Sequence, residues 1–368
     1  MPQKAINVVE DFDYDSRSET YNRSFREWRT AAQTKYVYSY SDDPREASYV
    51  AGKAVTKPSA AHIEQKALSH VCEVIGAALL VYFICEVAGE SLITGLFRML
   101  GLEVTLDFLT SSMTDSQLAV AGVRTMTLLL KFGIPICMLI AFFRLPRRVV
   151  MPGNFTALPE TVLGVGFAMI GSAVYALTAN AQGVEDAQTI FTYKDSAVIA
   201  GYVLVDAIIG SILAEMMLRG LMIPALRQFG DLFAVGLTAG AAFLFPNALP
   251  ARIGELLIGL AAGYLVLRGG SVWKCILLRF LYTLLNHARV ILLYATHMLP
   301  RWQYVMILLL TGLGLVFFYM RVRRNGLLLS NRKTQLPYRR KIFAAAQTLT
   351  MLPWLAVSML MLLVQLFF

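Results

Sequence analysis

From residue 68 to residue 366 the sequence repeats one pattern about nine times: a run of roughly twenty mostly apolar residues, then a short polar, basic or Gly/Pro-bearing turn. A helix needs about 20 such residues to cross the hydrocarbon of a bilayer. Inside a bilayer only a helix or a closed barrel satisfies its own backbone polar groups. The runs fall near 68–88, 118–143, 162–181, 196–218, 232–249, 252–268, 272–296, 302–320 and 342–366. Composition agrees, with 57% hydrophobic and 15% charged residues, against roughly 25% charged in an ordinary soluble domain. The expected fold is therefore all-α, a polytopic membrane helical bundle. It has about nine transmembrane helices, or eight if the last segment lies on the membrane surface.

Four regions follow along the chain. Residues 1–66 are polar, mix acids and bases, and include SYSDDPREASY; they are expected to form a cytosolic tail, partly or wholly disordered. MPQKAINVVEDFDYDS lacks the basic-then-apolar pattern of a cleaved leader. Membrane helices occupy 67–194, a central group 195–296, and further helices with a basic loop 297–368. Within the second region, residues 89–117, with SLITGLFRMLGLEVTLDFL, read as an amphipathic connection along the interface.

The net charge of +9 takes its meaning from where the bases lie. One set of loops holds Arg144, Arg147 and Arg148, then Arg227, then the Arg268–Lys274 turn, and finally Arg321 to Lys341, a stretch with no acid. The opposite set holds Glu185, Asp186 and Asp195 against Lys194. Cytoplasmic loops collect Lys and Arg, so the expectation is a cell-membrane protein with a cytoplasmic N-terminus and the lipid bilayer as partner. No basic segment is interleaved with base-stacking aromatics, so nucleic acid is not an expected partner. Cys72, Cys85, Cys137 and Cys275 all lie in apolar stretches without CxxC spacing and read as buried core thiols. Gly236…Gly240 and Gly259…Gly263 are GxxxG pairs, which let helix backbones approach closely.

Ionisable groups inside apolar spans are costly and mark either function or an internal pair. SILAEMMLRGLMIPALRQFG (211–230) carries Glu215 and Arg219 one turn apart, the acid on the N-terminal side, as a self-satisfying pair would require. FLFPN sets Phe243 and Asn247 on one face, with Pro246 loosening the helix. LLRFLYT sets Arg279 and Thr283 on one face of a later span, and LLNHARV adds Asn286, His287 and Arg289. His287 has no His or carboxylate at i±3 or i±4, which makes a poor zinc site. His297 reads as interfacial, and His62 and His70 sit in or beside the tail. HExxH, GxSxG and Walker loops are absent.

The order AEMMLRGLMIPALRQFG, AGAAFLFPNALP, LLIGLAAGYLVLRGGSVWKCILLRFLYTLLN resembles the CPBP family of intramembrane proteases. These are the CAAX prenyl proteases and the bacteriocin-processing or immunity proteins, also called the Abi family. The likeness covers about 195–295. The family pattern is EExxxRG, then FxxxH, then HxxxN after a Gly-Ser-Trp turn. Carried over residue by residue, the first glutamate falls on Ala214, the second on Glu215 and the arginine on Arg219. Phe243 keeps its place, and the two histidines fall on Asn247 and Arg279, with the last asparagine on Thr283.

The resemblance credits the first glutamate and the histidines with activating water, through a metal or directly. Ala214 takes no proton, Asn247 is no base, and Arg279 puts a permanent cation where an imidazole is expected. The chain is thus expected to be a pseudoprotease without cofactor, and to hold a peptide or membrane-protein partner in a polar cavity lined by Glu215, Asn247 and Arg279. Two alternatives stand beside it. One is an active endopeptidase rearranged around Glu215, Asn247 and His287, with zinc if metal-dependent. The other is a transporter of a small molecule or lipid, which inverted hydropathy repeats would support.

Overall fold

The structure is a computed structural model that describes residues 23–25, 27–28, 60–101, 106–107, 112–113, 117–151, 158–182, 201, 203–245, 249–269, 271–295, 300–325 and 335–367. Among these the architecture is helical, apart from one antiparallel pair of two-residue strands, β1 (Leu106–Asp107) and β2 (Ser112–Met113), with Leu106 opposite Met113. Helix α1 is Ala60–Met99. Helix α2 runs over 117–143 as Gln117–Leu128, a π turn at Leu129–Gly133, and Ile134–Phe143. Helix α3 is Leu158–Gln182, and α4 covers 203–227 with π turns at Asp206–Gly210 and Met216–Met222. Then follow α5 (Asp231–Phe243), α6 (Leu249–Gly269), α7 (Val272–Ala295), α8 (Pro300–Asn325), α9 (Tyr338–Ala346) and α10 (Met351–Phe367).

Each of the nine apolar segments falls wholly or partly on a helix. By length and composition, however, only Ala61–Gly89 and Ala121–Phe143 among the described residues suffice alone to cross a membrane. The pair Tyr338–Ala346 and Met351–Val364, bent by 88°, makes a third candidate. Length and composition of the helices thus do not reproduce the count of nine. Some helices are short, such as Asp231–Phe243, and others carry charges, such as Arg252 and Glu255 on α6 or Lys274 and Arg279 on α7. The exterior is what lipid contact demands: Leu308, Leu309, Leu313, Leu315 and Val316 on α8 all lie exposed, a density of apolar surface that soluble monomers rarely show.

Two hydrophobic cores organise the bundle. One joins α1, α2, α4, α5, α9 and α10 through residues such as Leu68, Leu139, Leu218, Phe233 and Trp354. The other joins α3, α6 and α7 through Ala168, Ile258, Leu265 and Leu278. The two GxxxG pairs behave differently. A Cβ on Gly259 would lie 2.9 Å from Ala239 Cα, and one on Gly263 would lie 2.8 Å from Val235 Cγ1, so these glycines set the α5–α6 approach. A Cβ on Gly240 would meet no other part of the protein within 4 Å, and one on Gly236 would lie 3.0 Å from the Tyr338 hydroxyl.

The structure refines two expectations from the sequence and corrects a third. The first part of the stretch after residue 89 is helix, because α1 continues to Met99 with no proline to stop it and ends at Gly101, whose φ of +80° suits a helix terminus. The tail is not wholly solvated. Residues 23–25 and 27–28 are helical, Phe25 and Trp28 are buried in the first core, and Trp28 Nε1 donates to the Phe143 carbonyl at 3.1 Å. SYSDDPREASY lies outside the described residues. Of the four cysteines only Cys72 and Cys275 are buried, whereas Cys85 is half-buried and Cys137 exposed, each on the outward side of a membrane helix.

One end of the bundle gathers the bases. The Lys341 ammonium donates to the Phe229 carbonyl and lies 3.5 Å from Glu64, and the Leu336 amide donates to Glu64 at 3.0 Å. Together with the Trp28–Phe143 bond, these contacts bring the start of α1, the ends of α2 and α4, and the start of α9 to the same end as exposed Arg144, Arg147 and Arg148.

Candidate functional site: a closed charge network between α4, α6 and α7

The segment around Glu215 is apolar enough to be driven inside and too polar to be left there unpaired. Glu215 and Arg219 are both fully buried, at the junction where α4 widens into the π turn Met216–Met222; such turns recur at functional sites. Gly220 lets α4 sit against the single turn Arg147–Val150, since a Cβ there would come within 2.8 Å of the Val150 carbonyl oxygen.

Arg219 Nη1 donates to Glu215 Oε1 at 3.1 Å, and its Nη2 donates to the Gly259 carbonyl at 2.8 Å. That second bond needs the bare glycine backbone on α6. The same Glu215 oxygen accepts from Arg279 Nε at 2.6 Å. Arg279 then turns its other two nitrogens to Glu255, donating from Nη1 to Oε1 at 2.8 Å and from Nη2 to Oε2 at 2.6 Å. This fork-on-fork pair is the strongest geometry open to an arginine. The four side chains carry two positive and two negative charges, so the network sums to zero without any outside ion.

Of the four, the sequence singles out Glu215 and Arg219 as a pair and Arg279 as lining a cavity with Glu215 and Asn247, and misses Glu255. Its signal was available, a carboxylate in ARIGELLIGL, subject to the same cost as Glu215 in a membrane span. The expectation that Arg279 stands open to a ligand is corrected: Arg279 is buried and three of its hydrogen bonds go to protein carboxylates. Ala214 is buried in the first core among side chains such as Met217 and Phe245, so the position the resemblance gives to a carboxylate is filled by packing.

Phe243 is half-buried at the end of α5, which stops ahead of Pro246. A proline cannot continue the helix bonding and pushes the residue before it out of helical geometry. Asn247, expected on one face with Phe243, lies outside the described residues. Thr283 is half-buried one turn beyond Arg279 on α7.

His287 belongs to a second rung between α4 and α7. Its Nε2 lies 3.8 Å from Asp206 on α4, and Asp206 accepts from Arg124 of α2 at 2.6 Å and 3.2 Å. Asp206 lies nine positions before Glu215, roughly 13 Å along the helix axis. Nearby, Asn286 accepts from the Ser172 hydroxyl at 2.6 Å. The histidine and the Glu215 network thus occupy different layers. The side chains of Arg289 and His297 lie outside the described residues.

A metal does not suit this donor set. Among the described residues no three His, Cys, Asp or Glu side chains converge to hold an ion. Glu215 is already shared by two guanidiniums, and Arg279 would repel a cation at the position where the resemblance places an imidazole.

Residues 196–285 match the type II CAAX prenyl endopeptidase Rce1-like family, a stretch that contains all four members of the network. No curated protein and no solved structure matches the chain. The segment that builds the charge network is accordingly similar to the type II CAAX prenyl endopeptidase Rce1-like family.

Proposed function

We propose that this CAAX-protease-like membrane protein is a pseudoprotease, which binds a peptide or membrane-protein partner as a regulator or immunity-type factor and does not cut it. The observation that carries the reading is the closure of Arg279 by Glu215 and Glu255. Hydrolysing a peptide bond needs a base or metal to activate water and donors to hold the oxyanion. Ala214 offers no base, and Glu215 is engaged by two arginines. Arg279 has three nitrogens on the carboxylates of Glu215 and Glu255, and a single oxyanion oxygen does not replace the two-oxygen Glu255 fork as a ligand carboxylate does.

Partner binding uses the same chemistry differently. A carboxylate-bearing ligand reaches Arg279 by displacing Glu255, the less deeply buried of its two acids, and exchanges one bidentate pair for another. The basic end of the bundle faces the cytoplasm on this reading, and the helices cross the membrane several times. His287 pairs with Asp206 in the other layer, which favours this account over an endopeptidase rearranged around Glu215, Asn247 and His287.

The test is purified full-length protein incubated with a broad panel of peptides and prenyl-peptides, alongside zinc analysis. The expected result is no cleavage and no stoichiometric zinc. Bound zinc at one per chain, or cleavage lost in Glu215→Gln, overturns the proposal.

A further inference from the structure

The last bent pair of helices carries a surface that the charge network does not explain. Helix α9 lies 88° from α10. If α10 runs with the bundle, α9 lies across it, in the plane of the membrane surface. One face of α9 is fixed to the protein: Lys341, Ala344 and Ala345 are buried, Lys341 reaches Glu64 and Phe229, and Tyr338 meets Phe233 edge to face at 6.2 Å. At its end the Thr350 hydroxyl donates to the Glu73 carbonyl at 2.6 Å and pins the bend.

The other face is turned outward and has a mixed character. Arg339 and Arg340 are exposed, and neither makes an ion pair among the described residues. Beside them Phe343 is 64% exposed, Ile342 46%, and Leu349 in the bend 83%. Arg339 and Phe343 are one turn apart and share a face. From Leu349 the exposed apolar surface continues directly into Leu352 of α10. A helix with arginines at one level and bare aromatic and aliphatic groups at the next is matched to the boundary between headgroups and acyl chains. The stretch from 321 to 341 contains no acid, so no neighbour in sequence neutralises the two arginines.

We propose that α9 is an interfacial helix that binds anionic phospholipid headgroups. Arg339 and Arg340 take the lipid phosphate, while Ile342, Phe343 and Leu349 enter the top of the acyl region. The site lies at the basic end of the bundle, where the Lys341–Glu64 contact ties it to the start of α1. Its occupant is a lipid, because the charge and the continuous apolar surface are complementary to a bilayer and the surface runs on into the lipid-facing side of α10.

The experiment uses the full-length protein reconstituted into nanodiscs of phosphatidylcholine with phosphatidylglycerol, followed by extraction and quantification of the lipid that remains bound. Wild type is expected to retain phosphatidylglycerol over phosphatidylcholine by roughly tenfold, from the attraction each basic side chain gains near anionic lipid. The Arg339→Gln/Arg340→Gln variant is expected to lose most of that preference with unchanged thermal unfolding. Arg147→Gln/Arg148→Gln, at the same end of the bundle, keeps it. Phe343→Trp is expected to gain fluorescence that brominated acyl chains quench. Equal retention in the Arg339/Arg340 variant and wild type overturns the proposal. So does full competition by inorganic phosphate, an unquenched Trp at position 343, or a crosslink from this face to a second copy or to another protein.

Discussion

Arg279→Met is expected to cost the fold about 3–5 kcal/mol, because it strands Glu255 and leaves Glu215 with one partner inside the bundle. Glu255→Gln is expected to cost a comparable amount, since it leaves an excess cation on Arg279. The informative variant combines them. Arg279→Met/Glu255→Gln removes one positive and one negative charge and leaves the Glu215–Arg219 pair intact at 3.1 Å. Replacing a whole buried pair is often close to neutral, whereas breaking one is not. The double variant is therefore expected to be more stable than either single, with a coupling of about 2 kcal/mol or more. Thermal unfolding in detergent measures this directly. Additive losses would show that the two residues do not act as a pair, and with that the account of why the segment keeps its charges would fall. An enzyme site gives a different pattern, with activity lost and stability gained.

Much of this was legible in the sequence, and the division between what was and was not has physical causes. The helices were readable because apolar runs of membrane length have few other fates. The Glu215–Arg219 pair was readable because helical spacing is local. Glu255 was not found because its partner, Arg279, is 24 positions away and on another helix. A permanent cation assigned to a polar cavity looked like an offer to a ligand, when it was already a demand for a second carboxylate. The Asp206–Arg124 pair, 82 positions apart, escaped for the same reason. The separation of His287 from Glu215 depends on how far two helices run past each other, which no one-dimensional pattern records. The docking of Phe25 and Trp28 was hidden by the polar composition around them: a short apolar pair in a charged tail reads as noise until a groove for it exists.

The second large effect concerns the two GxxxG pairs, which are indistinguishable as sequence and opposite as structure. Gly259→Ala is expected to destabilise the protein by roughly 3 kcal/mol. The new Cβ would lie 2.9 Å from the Ala239 backbone and 3.2 Å from Arg219 Nη2. Backbone does not yield as a side-chain end does, so α5 and α6 must part, and overpacking of this kind costs about 1–3 kcal/mol. The same shift pulls the Gly259 carbonyl from Arg219, a charged hydrogen bond with a contribution of about 1.5–3 kcal/mol. Gly240→Ala meets nothing within 4 Å and is expected to stabilise by about 0.5–1 kcal/mol, the usual gain for replacing a helical glycine. Ala239→Gly on the Gly259→Ala background takes away the methyl group 3.0 Å from the new side chain but leaves the main chain 2.9 Å from it, so it recovers only part of the loss. Unfolding temperatures for the three variants decide the matter, since a shared sign for Gly259→Ala and Gly240→Ala would mean that α5 and α6 do not cross at Gly259. The crossing matters to the charge network because the carbonyl that holds Arg219 in line with Glu215 belongs to a residue of α6 that has no side chain to keep α5 away.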